Sequence, residues 1–251
     1  MADNGSTDST LDIARRWSGR LPLRVVDASD RKGANHARNV GATSACGDFI
    51  AFCDADDVAS PSWLEGMADA ARSFHLVGGP LEITALNDPN TARWRHAPPQ
   101  DGLSVHSHFL PYARSANFGI RADVLRELGG WNEDYDRGAE EVELCWRAQL
   151  AGHNIGFAPE AVMHYRYRPT PRDLARQYYD YGRSGPQLFR AFRGEGMPRT
   201  SAARAALAWG WLVVHVFDLA RSQSRRAEWM RRFASRCGRL AGSLRFRVLF
   251  L

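Results

Sequence analysis

Phe49-Ile50-Ala51-Phe52-Cys53-Asp54-Ala55-Asp56-Asp57 carries five apolar residues straight into a cluster of carboxylates. The apolar run has the length and composition of a buried strand, and the acids stand at its carboxyl end. That is where α/β proteins place a metal or a phosphate-bearing ligand. Three acids within four positions repel one another, so a folded chain gathers them there only with a cation or several donors to offset the charge. The bland alternative is a solvated acidic turn.

Outward from that strand, helices and strands alternate with short connections, which predicts a mostly parallel sheet covered by helices. Upstream, the pattern predicts helix 8–17 after the turn Asn4-Gly5-Ser6, strand 23–26, and helix 37–46 stopped by Gly47. Downstream, Ser60-Pro61 reads as a cap and first helical turn, and Val77 to Ile83 as a strand. Thr84 to Tyr112, with four prolines and no sustained periodicity, reads as a long functional loop. A strand over 116–121, a short helix closed by Gly129-Gly130, a helix over 140–150, and short strands over 155–157 and 162–165 follow. Thr170-Pro171-Arg172-Asp173 has the signature of a capped helix start.

Composition narrows the class. The chain has 251 residues, 44% of them hydrophobic, enough for one large α/β domain plus an appendage. Its four cysteines lie far apart without CxxC spacing and read as reduced thiols of a cytoplasmic protein. The first twenty residues are polar and charged, unlike a secretory signal, and no uninterrupted apolar stretch reaches about 18 residues. The net charge of +5 conceals two unlike parts. Residues 1–164 hold 15 Lys/Arg against 23 Asp/Glu, whereas residues 165–251 hold 18 against 5. Every basic residue but Lys32 is arginine, which suits bidentate recognition of phosphate.

Five segments in register carry a resemblance. Asp3-Asn4-Gly5-Ser6-Thr7-Asp8, Gly33 to Gly41 (GANHARNVG) and Gly47 to Asp57 resemble the nucleotide-sugar half of a family 2 glycosyltransferase of GT-A fold. Gly129-Gly130-Trp131-Asn132-Glu133 and Glu140 to Arg147 (EEVELCWR) resemble its acceptor half. The resemblance covers roughly residues 1–185. It implies a Rossmann-like, mostly parallel sheet flanked by helices over 1–185, with a basic helical tail over 186–251. Two departures stand out: relatives usually open with a strand and helix ahead of the Asp3 turn, and most place Asp where this chain has Glu141. An N-terminally incomplete sheet is therefore expected, with backbone groups short of partners.

The resemblance implies roles residue by residue. Asp3, with Asn4 beside it, matches the turn that receives the nucleotide base, and Arg38 a basic residue near base and phosphates. Asp54 and Asp56 match the Asp-x-Asp motif that holds the ribose and a divalent cation on the diphosphate. Mn²⁺ or Mg²⁺ is the expected cofactor, since both take hard oxygen ligands and keep several waters. His164 matches a further metal ligand. Of Glu140 and Glu141, the second matches the base that deprotonates the acceptor hydroxyl as it attacks the anomeric carbon with inversion. The expected partners are a nucleotide-diphosphate sugar and a hydroxyl acceptor, a glycan or lipid-linked glycan of cell-envelope or surface glycan synthesis, and not a nucleic acid. From Ala202 onward, apolar stretches interleaved with arginine suggest amphipathic helices on the anionic inner face of a membrane, or a helical pair packed on the catalytic domain. Two other functional classes remain: a non-catalytic nucleotide-sugar-binding subunit, and a haloacid-dehalogenase-like phosphatase. The phosphatase needs a lysine downstream of its acids, and none follows Lys32.

Overall fold

The structure, a computed structural model, describes residues 1–95, 97–135 and 137–251. The chain opens with β1 (Ala2–Asp3), α1 (Thr10–Ser18), β2 (Val26–Asp27), α2 (Ala34–Thr43) and β3 (Phe49–Cys53). Next come β4 (Val58–Ala59), α3 (Trp63–Ala70), β5 (Leu76–Gly78), β6 (Leu81–Glu82), α4 (Pro89–Arg93) and the hairpin β7 (Ser104–Val105) with β8 (Pro111–Tyr112). The second half carries β9 (Asn117–Arg121), α5 (Ala122–Glu127), α6 (Glu140–Leu150), β10 (Ile155–Phe157), β11 (Met163–His164) and α7 (Pro171–Phe192). It ends in α8 (Ala202–Val214), a 3₁₀ turn over Val216–Ala220, and α9 (Gln223–Phe246).

The central sheet has the order β10-β5-β9-β3. Strands β10, β5 and β3 share one direction, and β9 runs against both of its neighbours. The sheet is thus mixed and not mostly parallel: three strands share one direction, but the reversed β9 between β5 and β3 makes two of the three ladders antiparallel. Among the described residues β3 pairs on one side only, and β1 and β2 form a separate parallel ladder. The predicted strand over 77–83 is broken at Gly79-Pro80 into β5 and β6, which lie in different sheets. Proline has no N–H to give a ladder, and a Cβ on Gly79 would sit 2.3 Å from the Ala161 carbonyl oxygen.

Strand alternation on β9 sets the two core layers. Phe118 and Ile120 face Trp131, Leu144 and Cys145, with Phe118 and Phe52 both edge-on to the Trp131 indole. Gly119 points the other way and leaves room for the Phe49 ring, 2.3 Å from where its Cβ would be. Each large side chain fully buried here stabilises the fold by about 1.5–3 kcal/mol. Asn117 is completely buried and joins three segments: its amide donates to the carbonyls of Pro80 and Ala161, and its oxygen accepts from the Trp63 indole.

The segment expected to be a structureless loop holds α4 and the β7–β8 hairpin. Its His106 is packed beside Trp146 and Tyr112, and burial pushes it down to about 4, so it sits there neutral. Helix α7 begins where the sequence indicates: the Thr170 hydroxyl accepts from the Asp173 amide and donates to the Asp173 carboxylate. It runs on past residue 185 to Phe192, with Pro186 inside it. Helix α9 lies along it so tightly that a Cβ on Gly182, Gly238 or Gly242 would meet partner backbone oxygens at 2.0–2.4 Å. Phe250, past the end of α9, is buried with Trp146, Leu188 and Phe192. Among the described residues no helix is long and apolar enough to cross a membrane.

Candidate active site

The acidic turn after β3 closes on itself and on a distant segment. Asp57 donates its amide to the Asp54 carbonyl, and its carboxylate accepts the Arg166 amide at 2.8 Å. Arg166 returns its Nε to the Asp56 carbonyl at 3.0 Å. Burial, with Asp56 and Asp54 adding like charge, pushes the Asp57 carboxyl up to about 6. Asp57 therefore shapes the turn, while Asp54 and Asp56 face a cavity of about 580 Å³.

Arg38 from α2 reaches the same cavity. Its guanidinium lies 3.4 Å from Asp54 and 3.6 Å from Glu140, donates to Asn35 Oδ1 at 3.0 Å, and stacks 4.8 Å over Trp131. Four partners around one planar cation fix its orientation, which a flexible ammonium would not achieve. Glu140 and Glu141 enter the cavity from the first turn of α6. The backbone before them is left-handed at Gly138 (φ 109°) and Ala139 (φ 66°). A Cβ on Gly138 would come within 2.8 Å of the Tyr181 ring, so the turn that presents these acids needs glycine. Glu143, one turn on, is turned away into an ion pair with Arg147 at 3.0 Å.

The helix amino end favours carboxylates, yet desolvation is the larger effect at Glu141. Its half-buried side chain lines the cavity, and the carboxyl is pushed by burial, and next by the Glu140 charge, up to about 7. Arg114 and Arg38 oppose the shift. One Glu140 oxygen is buried with no hydrogen-bond partner among the described residues. The pair thus combines an acid poised near neutrality with an unsatisfied acceptor, an arrangement suited to taking a proton from a bound group.

The structure brings Arg38, Asp54, Asp56, Glu140 and Glu141 to one cavity. It does not bring Asp3, Asn4 or His164 to its lining. Asp3 is buried and accepts the amides of Gly5 and Ser6. Asn4 donates to the carbonyls of Ala28 and Arg31 and accepts the amide of Gly33, the residue just before α2. Lys32 is committed to the carbonyls of Asn4 and Gly5. His164 Nδ1 lies 2.8 Å from Glu82. Although burial would raise the Glu82 carboxyl, hydrogen bonds from His164, Thr84 and Ala85 hold it down at about 2.

Among the described residues no three His, Cys, Asp or Glu side chains converge as a ready metal cluster. Asp54 and Asp56 nonetheless fit a hard cation that keeps waters and takes phosphate oxygens as its other ligands. Asp56 is exposed at the cavity, and among the described residues its carboxylate has no hydrogen-bond or ion-pair partner.

Several cavity residues have no motif of their own in the sequence. Arg114, just ahead of β9, has a buried Nε without a partner among the described residues and lies close enough to Glu141 to influence it. Tyr165, Arg168 and Arg176 also line the cavity. Arg176 belongs to α7 with Gln177 and Tyr181, whose side chains are hydrogen-bonded at 2.9 Å. The capped start at Thr170 points to that helix in the sequence, but no local signal marks Arg114.

Fold and cavity together define a GT-A domain of the glycosyltransferase class. The model of the family described as Glycosyl transferase family 2 matches residues 1–129, about half of the chain, and the chain belongs to that family. It is 29% identical over 200 residues to the pre-mycofactocin glycosyltransferase of Mycobacterium tuberculosis, covering 74% of this chain and 41% of that protein. It is 27% identical over 235 residues to the succinoglycan biosynthesis protein ExoA of Rhizobium meliloti, covering 86% of this chain and 68% of that protein. The chain thus spans well under half the length of its mycobacterial relative. Among solved structures, the mannosyltransferase PcManGT from Pyrobaculum calidifontis, in complex with GDP-Man and Mn²⁺, superposes with a TM-score of 0.63. That match is 18% identical and covers 95% of this chain and 76% of that one; it carries the fold.

Proposed function

We propose that this protein transfers a sugar from a nucleotide-diphosphate donor to a hydroxyl acceptor with inversion at the anomeric carbon, in the synthesis of a cell-envelope or surface glycan. The observation that carries the reading is the meeting of Asp54, Asp56, Arg38, Glu140 and Glu141 around one cavity, although they come from three separate elements.

Glu141 accepts the proton of the acceptor hydroxyl as that oxygen bonds to the anomeric carbon. The bond from this carbon to the diphosphate breaks on the opposite face, and the nucleoside diphosphate leaves with the electron pair. Arg38 sits between Asp54 and Glu140 and offers positive charge to the diphosphate as it departs. Asp54 and Asp56 would hold Mn²⁺ or Mg²⁺, which when bound stabilises the same leaving group. Asp3 and Asn4 fit a supporting role, bracing the loops that lead into α2 and so placing Arg38. His164, paired with Glu82 through Nδ1, would offer Nε2 to the metal, with Glu82 in the carboxylate position that orients a ligating imidazole. We place the enzyme on the cytoplasmic side of an anionic membrane, held there by its basic C-terminal helices.

Calorimetric titration with UDP, GDP and dTDP, each with and without Mn²⁺, tests the reading. One nucleotide should bind in a Mn²⁺-dependent way, and Asp56→Asn should abolish that dependence with the fold intact. Unchanged metal-dependent affinity in the variant removes Asp56 from the metal site; no binding of any nucleotide removes the donor assignment.

A further inference from the structure

Helix α8 and the 3₁₀ turn after it have an apolar face on each side. The inner face is spent on α9: Leu212 is buried, the Trp229 indole donates to the Leu212 carbonyl at 2.9 Å, and Trp209 packs edge-on to Phe233. Trp211 is stacked on His215, with the Arg232 guanidinium 4.2 Å over its ring. The outer face carries Leu207, Val213, Val214 and Phe217, exposed to 73–75%. Their spacing places them along one stripe of a helical surface. Isolated exposed hydrophobics are ordinary, but a helical stripe of this kind needs an occupant.

Charge selects that occupant. Arg204 is exposed at the start of the stripe, and Arg221 and Arg225 at its end share one carboxylate, Asp218, at 2.9 and 3.5 Å. Residues 199–251 hold eleven arginines against two acids, Asp218 and Glu228. An apolar stripe with arginine at both ends matches the boundary of an anionic bilayer, where acyl chains lie beneath phosphate headgroups. A helix of 13 residues reaches about 20 Å, short of a span and suited to lying in the interface.

We infer that the outer face of α8 and the 3₁₀ turn over Val216–Ala220 inserts into an anionic lipid bilayer, while α9 serves as the scaffold behind it. The inference rests on the membrane part of the function proposed above and changes which residues carry it. The inserting groups are Leu207, Val213, Val214 and Phe217, whereas Trp209, Trp211 and Trp229 turn inward.

Co-sedimentation of the full chain with phosphatidylcholine vesicles, with and without phosphatidylglycerol, tests this. The wild-type chain should partition onto the anionic vesicles. Leu207→Ser, Val214→Ser and Phe217→Ser combined should weaken partitioning about a hundredfold, and Arg204→Ala with Arg225→Ala about tenfold at low salt. If the combined variant melts below the wild type, Phe217→Ser alone replaces it, with about a tenfold loss expected. Unchanged partitioning in these variants, or no preference for phosphatidylglycerol, overturns the inference. So does self-association of the wild type that the apolar variant abolishes without any change in lipid binding, since the stripe would then be covered by a second copy. Mn²⁺-dependent nucleoside diphosphate binding, measured on the same preparations, reads the active site separately: its failure would strike the donor assignment and leave the vesicle result standing.

Discussion

Replacing Glu141 by glutamine should stabilise this protein while disabling it. Burial and the neighbouring Glu140 raise the Glu141 carboxyl from 4.5 to about 7 in the free enzyme. Between those values the native state holds a proton that the unfolded chain has released, so native stability falls as pH rises through that window. A shift of that size corresponds to about 3 kcal/mol, and relaxation around a carboxyl reachable from the cavity brings the expected effect to about 1–3 kcal/mol. Glutamine keeps the shape and cannot ionise. Glu141→Gln should therefore match the wild type below about pH 4.5 and exceed it by about 1–3 kcal/mol at pH 8. Urea denaturation of both proteins at the two pH values measures this directly. In parallel, wild-type kcat/KM should fall tenfold per pH unit on the acid side of about 7. The variant should lose transfer by about 10²- to 10⁴-fold. A variant less stable than wild type at pH 8 would mean that the carboxylate is a well-paired structural anion, and the argument for a poised base would fall with it.

Arg38→Ala removes one of the two cations that hold the Glu141 carboxyl down, so the acid limb of the kcat/KM profile should move above about 7. A profile unmoved by that change would detach Arg38 from the base, and Arg38→Lys should restore part of the shift without restoring the contacts to Asp54, Glu140 and Asn35. Asn117→Ala leaves two carbonyls and the Trp63 indole without their partner in a fully buried position, at a cost of about 3 kcal/mol or more. Chemical denaturation showing a loss below about 1 kcal/mol would mean that water satisfies those groups.

What the sequence discloses is what local chemistry encodes. The strand ending in Asp54 and Asp56 lies where its apolar run predicts. Gly129 and Gly130 adopt φ of 74° and 83°, conformations that suit glycine, and the Thr170 cap starts α7. What it hides depends on partners far along the chain. No pattern in Asn117 to Arg121 says that β9 runs against its neighbours, because alternation has the same period in either direction. Nothing near His164 in sequence shows that Glu82, 82 residues away, holds its Nδ1. Which residues of α8 face outward is equally hidden, because hydrophobicity alone does not say which face meets α9.

One helix settles how the two halves of the site are registered. Asn35, Arg38 and Asn39 lie three and four residues apart, on one face of α2. Asn35 donates to the carbonyls of Asn132 and Tyr135. Asn39 donates to the Trp131 carbonyl at 2.9 Å and accepts the Trp131 amide at 2.8 Å. Gly130 approaches so closely that a Cβ there would lie 2.7 Å from the Asn39 oxygen. These bonds hold the segment that leads into α6, and α6 carries Glu140 and Glu141. Arg38, between the two asparagines, bridges Asp54 to Glu140 on the same face. The GANHARNVG stretch, resembling a nucleotide motif in sequence, is in three dimensions the clamp between Asp54 and Asp56 on one side of the cavity and Glu140 and Glu141 on the other. A change at Asn35 or Asn39 would loosen that distance without touching either group, and a displacement of about 1 Å is enough to cost a well-aligned reaction roughly a hundredfold in rate.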